Sequence, residues 1–311
     1  MSQARKDLLA RLSKLADAAS KDEVNSKPAH EEGWNERARL LKIGIALSVF
    51  TSLEDFVKRR VIEVLLKLNT ISPKSKAIPS KLLDALTVEA VKTVAGRINH
   101  AERFKIGDVR VFAMDQAKKI ASLADNLIIP SEMALTDNNS NISWALIEGA
   151  LLSFGVTNPA SVMGGVAQRI AGGIFAPKDH FEKATELRHQ VAHEPWFDMP
   201  VGDMTTHLST GAMLCCSFDL VLSTAAARIV QGTHLIQPSS TSNKDVALIF
   251  VEKAGGRWRH KGEGAKKGKV AADEDLAFEA ARNVGGGTQS CVVIAPADAR
   301  SPCTRWDAPF L

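Results

Sequence analysis

Apolar positions recur with the period of an α-helix through the first two-thirds of the chain. Leu8, Leu9, Leu12 and Leu15 predict a helix over residues 4–18. After the polar stretch NSKPAHEEG, an unbroken helical pattern runs from about Asn35 to Leu68. Its core, LLKIGIALSVFTSLEDFVKRRVIEVLL, contains no proline and one glycine. Further helices are predicted from Ser80 to about Arg97 and near 110–125, 143–153, 158–171, 178–193 and 203–231. Prolines 130, 159, 177, 195 and 200 fall between these segments or at their ends. Asn158 is placed to cap a helix with Pro159 at its first position, and LTDNNSN at 135–141 reads as a loop.

The pattern changes at GTHLIQPSSTSNK, 232–244, which has the composition of a linker. Beyond it, DVALIFVE is apolar on both faces and predicts a buried strand. AGG then makes a turn, and RWRHK returns as its hairpin partner. DEDLAFEAARNV predicts a helix with acids in its first turn, and SCVVIAP a second buried strand. No internal repeat is evident. The expectation is a mainly α protein with a small C-terminal α+β domain: an N-terminal helix or extension at 1–34, a helical domain at 35–235, and the α+β domain at 244–311.

Composition narrows the chemistry. The chain is 45% hydrophobic and 24% charged, as in a soluble globular protein, and has no tyrosine, which removes tyrosine nucleophiles and tyrosine stacking. No apolar run approaches the ~20 residues that span a bilayer. MSQARKDLLARLSKLADAASKDE lacks the apolar core of a signal peptide, so a cytoplasmic protein with no membrane partner is expected. Cys215 and Cys216 sit in an apolar helical stretch and read as core, Cys291 and Cys303 are isolated, and no CxxC spacing suggests zinc. There is no P-loop and no GxSxG, and GGVAQRIAGG lacks the strand a dinucleotide site needs, so no cofactor is expected.

The segment ELRHQVAHEPW, Glu186 to Trp196, carries the strongest chemistry. Pro195 disfavours α geometry at Glu194, which puts His193 in the last turn of a helix. The partial negative charge of a helix C-terminus favours a protonated imidazole there, poised to exchange protons near neutral pH. Arg188 supplies a fixed fork for a phosphate. On an ideal helix five residues turn the chain by about 140°, so Arg188 and His193 do not share a face unless the terminal turn loosens. In isolation such a pair reads as ordinary surface residues. His189 and His193, four apart, form a conceivable metal pair with no third ligand evident. In SLEDFVKRR, Glu54 and Lys58 stand four apart with Arg59 adjacent. They form either an ordinary helical ion pair or charges lining an interior groove, because the residues around them are apolar.

These two motifs together resemble the HEPN ribonucleases: SLEDFVKRRVIEVL in a long early helix and LRHQVAHE near the end of a later one, over about residues 35–235. The resemblance implies an HEPN-like helical bundle that pairs as a homodimer, with two Arg-x4-His motifs facing one cleft. It implies cleavage of RNA without metal, by 2′-hydroxyl attack that leaves a 2′,3′-cyclic phosphate and a 5′-hydroxyl. His193 would be the acid/base group, Arg188 would stabilise phosphate charge, His189 would orient Arg188 or the substrate, and Glu54 with Lys58 would support the site. A toxin or anti-phage defence setting, with an antitoxin or defence-system subunit as partner, belongs to the same expectation. The alternatives are a catalytically silent RNA-binding or scaffolding module and a metal-dependent hydrolase using His189 and His193.

The tail adds a basic stretch, Lys253 to Lys269, with seven lysines and arginines opposed only by Glu263. Arg257, Arg259, Lys261, Lys266 and Lys267, with Arg59 in the helical domain, are candidate RNA contacts, and Trp258 is a candidate stacking platform. A solvated surface loop is the alternative. Strand alternation in RWRHK puts Arg257, Arg259 and Lys261 on one face and Trp258 and His260 on the other. His100 and His180 read as surface residues or as lining a cleft, and Trp196 as a core or dimer anchor.

Overall fold

The computed structural model describes residues 2–71, 78–125, 129–131, 133–135, 142–194, 196–231, 240–284, 290–294 and 304–308. Parts of the expected loop at 135–141 and linker at 232–244, together with Cys303, lie outside them. The helices are α1 (Gln3–Ala19), α2 (Glu32–Ile71), α3 (Ser80–Asp84), α4 (Ala90–Phe104), α5 (Val109–Ala121), α6 (Trp144–Ser153), α7 (Pro159–Ala171), α8 (Pro177–His193), α9 (Val201–Gln231) and α10 (Glu274–Val284). A π-helical turn, Ala85–Glu89, joins α3 to α4. The protein is mainly α with a small C-terminal α+β part, as the pattern predicts.

The bundle is built around α2 and α9. On α2 the buried positions Ile45, Val49, Leu53, Phe56, Arg60, Val64 and Leu68 recur every three or four residues, so one stripe faces inward. Helix α9 is buried on all sides from Gly211 to Ile229, which marks it as the central helix. A Cβ at Gly211 would lie 2.8 Å from Val49 Cγ1, so glycine sets how closely the two helices approach. By length and composition α9 could cross a membrane, contrary to the expectation that no apolar run is long enough. Yet 94% of its apolar window is buried inside the protein. Helix α1 runs antiparallel to α2: Ala4 N–H donates to Glu63 (2.8 Å), Asp7 pairs with Arg59 (2.6 Å) and Arg11 with Asp55 (3.0 Å). Asn158 caps α7 by accepting from Ser161 N–H, with Pro159 at the first position, as expected. The first two glycines of GGVAQRIAGG serve packing: Cβ atoms at Gly164 and Gly165 would collide with the Phe175 carbonyl and the Asn243 side chain.

The tail forms a mixed five-stranded sheet in the order β3-β2-β1-β4-β5, from β1 (Ala247–Ala254), β2 (Arg257–Gly262), β3 (Lys269–Ala271), β4 (Ser290–Ile294) and β5 (Trp306–Asp307). Strands β1 and β4 are parallel and the other pairs antiparallel. Alternation divides the apolar residues between two cores. Leu248, Cys291, Val293 and Trp306 join the core of the helical bundle, and Ile249, Val251, Val292 and Ile294 pack against Ala277, Phe278 and Ala281 of α10. The sheet is thus clamped between α10 and the bundle. On the bundle side Arg169 of α7 donates to the Val246 carbonyl (2.7 Å) and to Glu263 (2.8 Å). Strands β3 and β5, three and two residues long, carry too little sequence for a period to announce them.

A buried charge cluster locks both ends of the chain onto the bundle. Asp219, in the middle of α9, accepts from Arg5 Nε (2.7 Å), Arg60 Nε (2.5 Å) and Trp306 Nε1 (2.8 Å). Arg5 also pairs with Asp307, which Arg282 contacts from its other side at 2.7 Å, and Arg60 donates to Ser223 Oγ (2.7 Å). Burial opposes ionisation of Asp219, but the two guanidiniums override it and hold the carboxyl well below its ordinary value.

Two buried histidines make the fold sensitive to mild acid. His207 touches the Ala46 carbonyl (3.3 Å), and His260, beneath α10, has no partner for either ring nitrogen. Burial pushes both imidazoles below the usual 6.5, with Lys269 adding to the effect at His260. The unfolded chain therefore takes up these protons first. Their stabilisation is complete above about pH 6.5 and is lost as the pH falls below it. Urea midpoints measured from pH 8 to pH 5 should decline. His260→Phe should flatten that decline and raise the unfolding free energy by about 1 kcal/mol, because it removes two unsatisfied nitrogens. An unchanged slope would show that His260 is not the group responsible.

Candidate functional site

Helix α8 begins with Pro177 and presents Phe181, Ala184 and Val191 to the core. Contacts of Phe181 with Phe50 (ring centroids 6.0 Å apart) and of Asp198 with Lys42 (2.5 Å) show that α8 and the chain after it run antiparallel to α2. The helix stops at His193, and Glu194 is extended, as Pro195 requires. On its outer side Arg188 is half-buried while His189 and His193 are exposed, with their rings 4.5 Å apart. The imidazole pair and the arginine therefore share the last two turns of one helix.

The chain beyond this end is fixed by residues that pattern reading did not single out. Lys42 is buried on α2, and its ammonium reaches out to Asp198. The Arg39 guanidinium lies 5.8 Å from the centre of the Trp196 ring. Trp196 is 85% exposed, so it is not a core residue, and the nearby Leu40 and Leu41 are also exposed. An exposed indole thus stands three residues beyond His193. The signal for Lys42 was a lysine three positions before Ile45 on the inward stripe of α2.

Glu54 and Lys58 lie elsewhere on the same helix pair. The Glu54 carboxylate accepts the Ile142 N–H at 2.6 Å and so sets the approach to α6. From the Phe50–Phe181 contact, Glu54 and Arg188 diverge by four and seven residues, or about 16 Å along the axes. One chain does not bring them together. Arg59 turns toward α1, where Asp7 (2.6 Å) and Asp55 (3.3 Å) neutralise it.

In the tail, the alternation read from RWRHK is observed: Trp258 packs half-buried on the α10 cluster and His260 is buried, both on the face opposite Arg257, Arg259 and Lys261. Arg259 and Lys261 share Glu252 at 2.5 and 3.1 Å, an acid whose role becomes visible only in the cross-strand register Glu252↔Arg259. Glu263 is held by Arg169. Lys253, Arg257, Lys266, Lys267 and Lys269 are exposed and have no carboxylate partner among the described residues.

The two candidate regions lie at opposite ends of the bundle. His207 meets Ala46 near the start of α9, at the level of the α8 terminus, whereas Thr224 meets Cys291 of the sheet. At 1.5 Å per residue these two contacts are about 26 Å apart along α9. Among the described residues no group of three or more histidines, cysteines or carboxylates is arranged to hold a metal ion. Comparison with family models, curated proteins and solved structures finds no match to this chain.

Proposed function

We propose that the protein is a metal-independent endoribonuclease of HEPN type that acts as a homodimer. The observation that supports this best is the end of α8: two exposed imidazoles and an arginine on its last two turns, with the exposed Trp196 just beyond them. A second copy packed over Trp196 would face the first across a cleft. In such a cleft one His193 accepts the proton of the RNA 2′-hydroxyl. The 2′-oxygen bonds to phosphorus, and the bond to the 5′-oxygen breaks. The partner's His193 protonates the leaving 5′-oxygen, and the arginines hold the charge that builds on the phosphate. The products are a 2′,3′-cyclic phosphate and a 5′-hydroxyl. Glu54 and Lys58 act as supports of the helix pair in this reading.

The patch of Lys253, Arg257, Lys266, Lys267 and Lys269 recruits the RNA backbone, and the length of α9 between the two regions, about 26 Å, calls for a substrate several nucleotides long. A toxin or defence effector held in check by a partner subunit is the setting this activity suits. The second reading, a silent RNA-binding module, draws on Glu54 and Arg59 being engaged in contacts within the fold. Incubation with end-labelled RNA in EDTA decides between them. Cleavage should persist and leave cyclic phosphate ends. RNA bound but never cut would favour the silent module, and cleavage that EDTA abolishes would favour metal-dependent hydrolysis by His189 and His193.

A further inference from the structure

Helices α4 and α5 form a hairpin that contributes little to the core. Ala90 and Val94 are the buried residues of α4, and Gln116 is the buried residue of α5. The apolar residues of the hairpin instead face outward: Met114 is 74% exposed, Val111 63%, Ile106 58% and Phe104 57%. Val111 and Met114 are three apart on the outer face of α5, away from Val109 and Phe112. Between the helices near the tip lies a cleft of about 450 Å³, lined mainly by carbon and including Arg97, His100, Ile106, Val109 and Phe112.

The charges around this surface are mostly positive. Arg97, Arg103, Lys105, Arg110 and Lys118 are exposed and have no carboxylate partner among the described residues. The hairpin's acids are mostly committed: Asp108 caps α5 by accepting from the Arg110 and Val111 N–H groups, and Asp115 pairs with Lys119 (2.7 Å). Glu102 remains as the one exposed acid with no contact shown, against five cations.

We propose that the α4–α5 hairpin is a docking arm for an acidic amphipathic helix of a partner protein. A helix laid along the outer face of α5 covers Val111 and Met114 and sets its carboxylates against Arg110 and Lys118, which flank them on that face. A second copy of this chain would place like charges against each other at the same surface. A bilayer would meet the tip, Phe104 and Ile106, and leave the length of α5 uncovered. The inference is independent of the ribonuclease reading, because the hairpin is separate from the end of α8.

The test is selection from a display library of random peptides about 18 residues long, or five helical turns, on the full-length protein. Enriched sequences should carry net negative charge and apolar residues at i, i+3 or i+4, and i+7. Their affinity should fall at least ~10-fold for Met114→Glu and for Val111→Glu, both solvent-facing changes, and should weaken as salt is raised. Absent enrichment, basic or patternless sequences, or affinity unchanged in both variants would overturn the proposal. So would flotation of the protein with phosphatidylserine vesicles that Met114→Glu abolishes, or self-association lost in the same variant.

Discussion

Replacing Asp219 with alanine is expected to leave the protein largely unfolded at 25 °C. The substitution strips two buried guanidiniums of their shared carboxylate and leaves the Trp306 indole N–H without its acceptor. Breaking one buried ion pair costs about 3–5 kcal/mol, and a domain of ordinary stability has only ~5–15 kcal/mol in total. Arg60→Met should be milder, because Asp219 keeps Arg5 and Trp306. Because the Asp219 carboxyl is held below its ordinary 3.8, its contribution is complete above that pH and is lost as the pH falls further. Urea unfolding followed by circular dichroism measures all of this. An Asp219→Ala protein within 1 kcal/mol of the parent would mean that the charges are relaxed by water and not by each other.

The second large effect concerns the proposed ribonuclease activity. His193→Ala should lower RNA cleavage by ~10²–10⁴-fold, the usual contribution of a general acid–base group. Thermal stability should not change, since the ring is exposed at a helix end. Arg188→Ala should lose a comparable amount through phosphate charge. Mixing the two inactive variants provides a sharper readout. If one cleft draws groups from both copies, re-equilibrated heterodimers should recover part of the activity. Recovery would be absent if each chain held a complete site of its own, and full activity in either variant would remove that residue from the chemistry.

What sequence alone revealed follows the range of the forces involved. The end of α8 was legible because proline acts on its immediate neighbour, and Glu194 is extended as that rule demands. The two faces of β2 were legible because side-chain alternation is local. The charge cluster was not, because its members come from positions 159 and 302 residues apart. Traces of it are nevertheless present in the pattern. Arg5 precedes Leu8 and Leu12 on the buried stripe of α1, Arg60 interrupts that of α2, and Asp219 is a lone acid in the apolar run CCSFDLVLS. A charge on an inward stripe signals burial, but only the fold names its partner. The same limit applies to Glu54, whose acceptor role depends on a backbone amide 88 residues away, and to Arg259, whose acid lies across a strand pair.

The link between Arg5 and Asp307 also sets the order of events during synthesis. A ribosome releases the first of these residues some three hundred codons before the second. Until then Arg5 shares Asp219 with Arg60, which also has Glu63 at 3.6 Å. Strand β5 then supplies Arg5 with a second carboxylate and Asp219 with the Trp306 N–H. A chain released before β5 is made should therefore hold the helical bundle less firmly than the intact one.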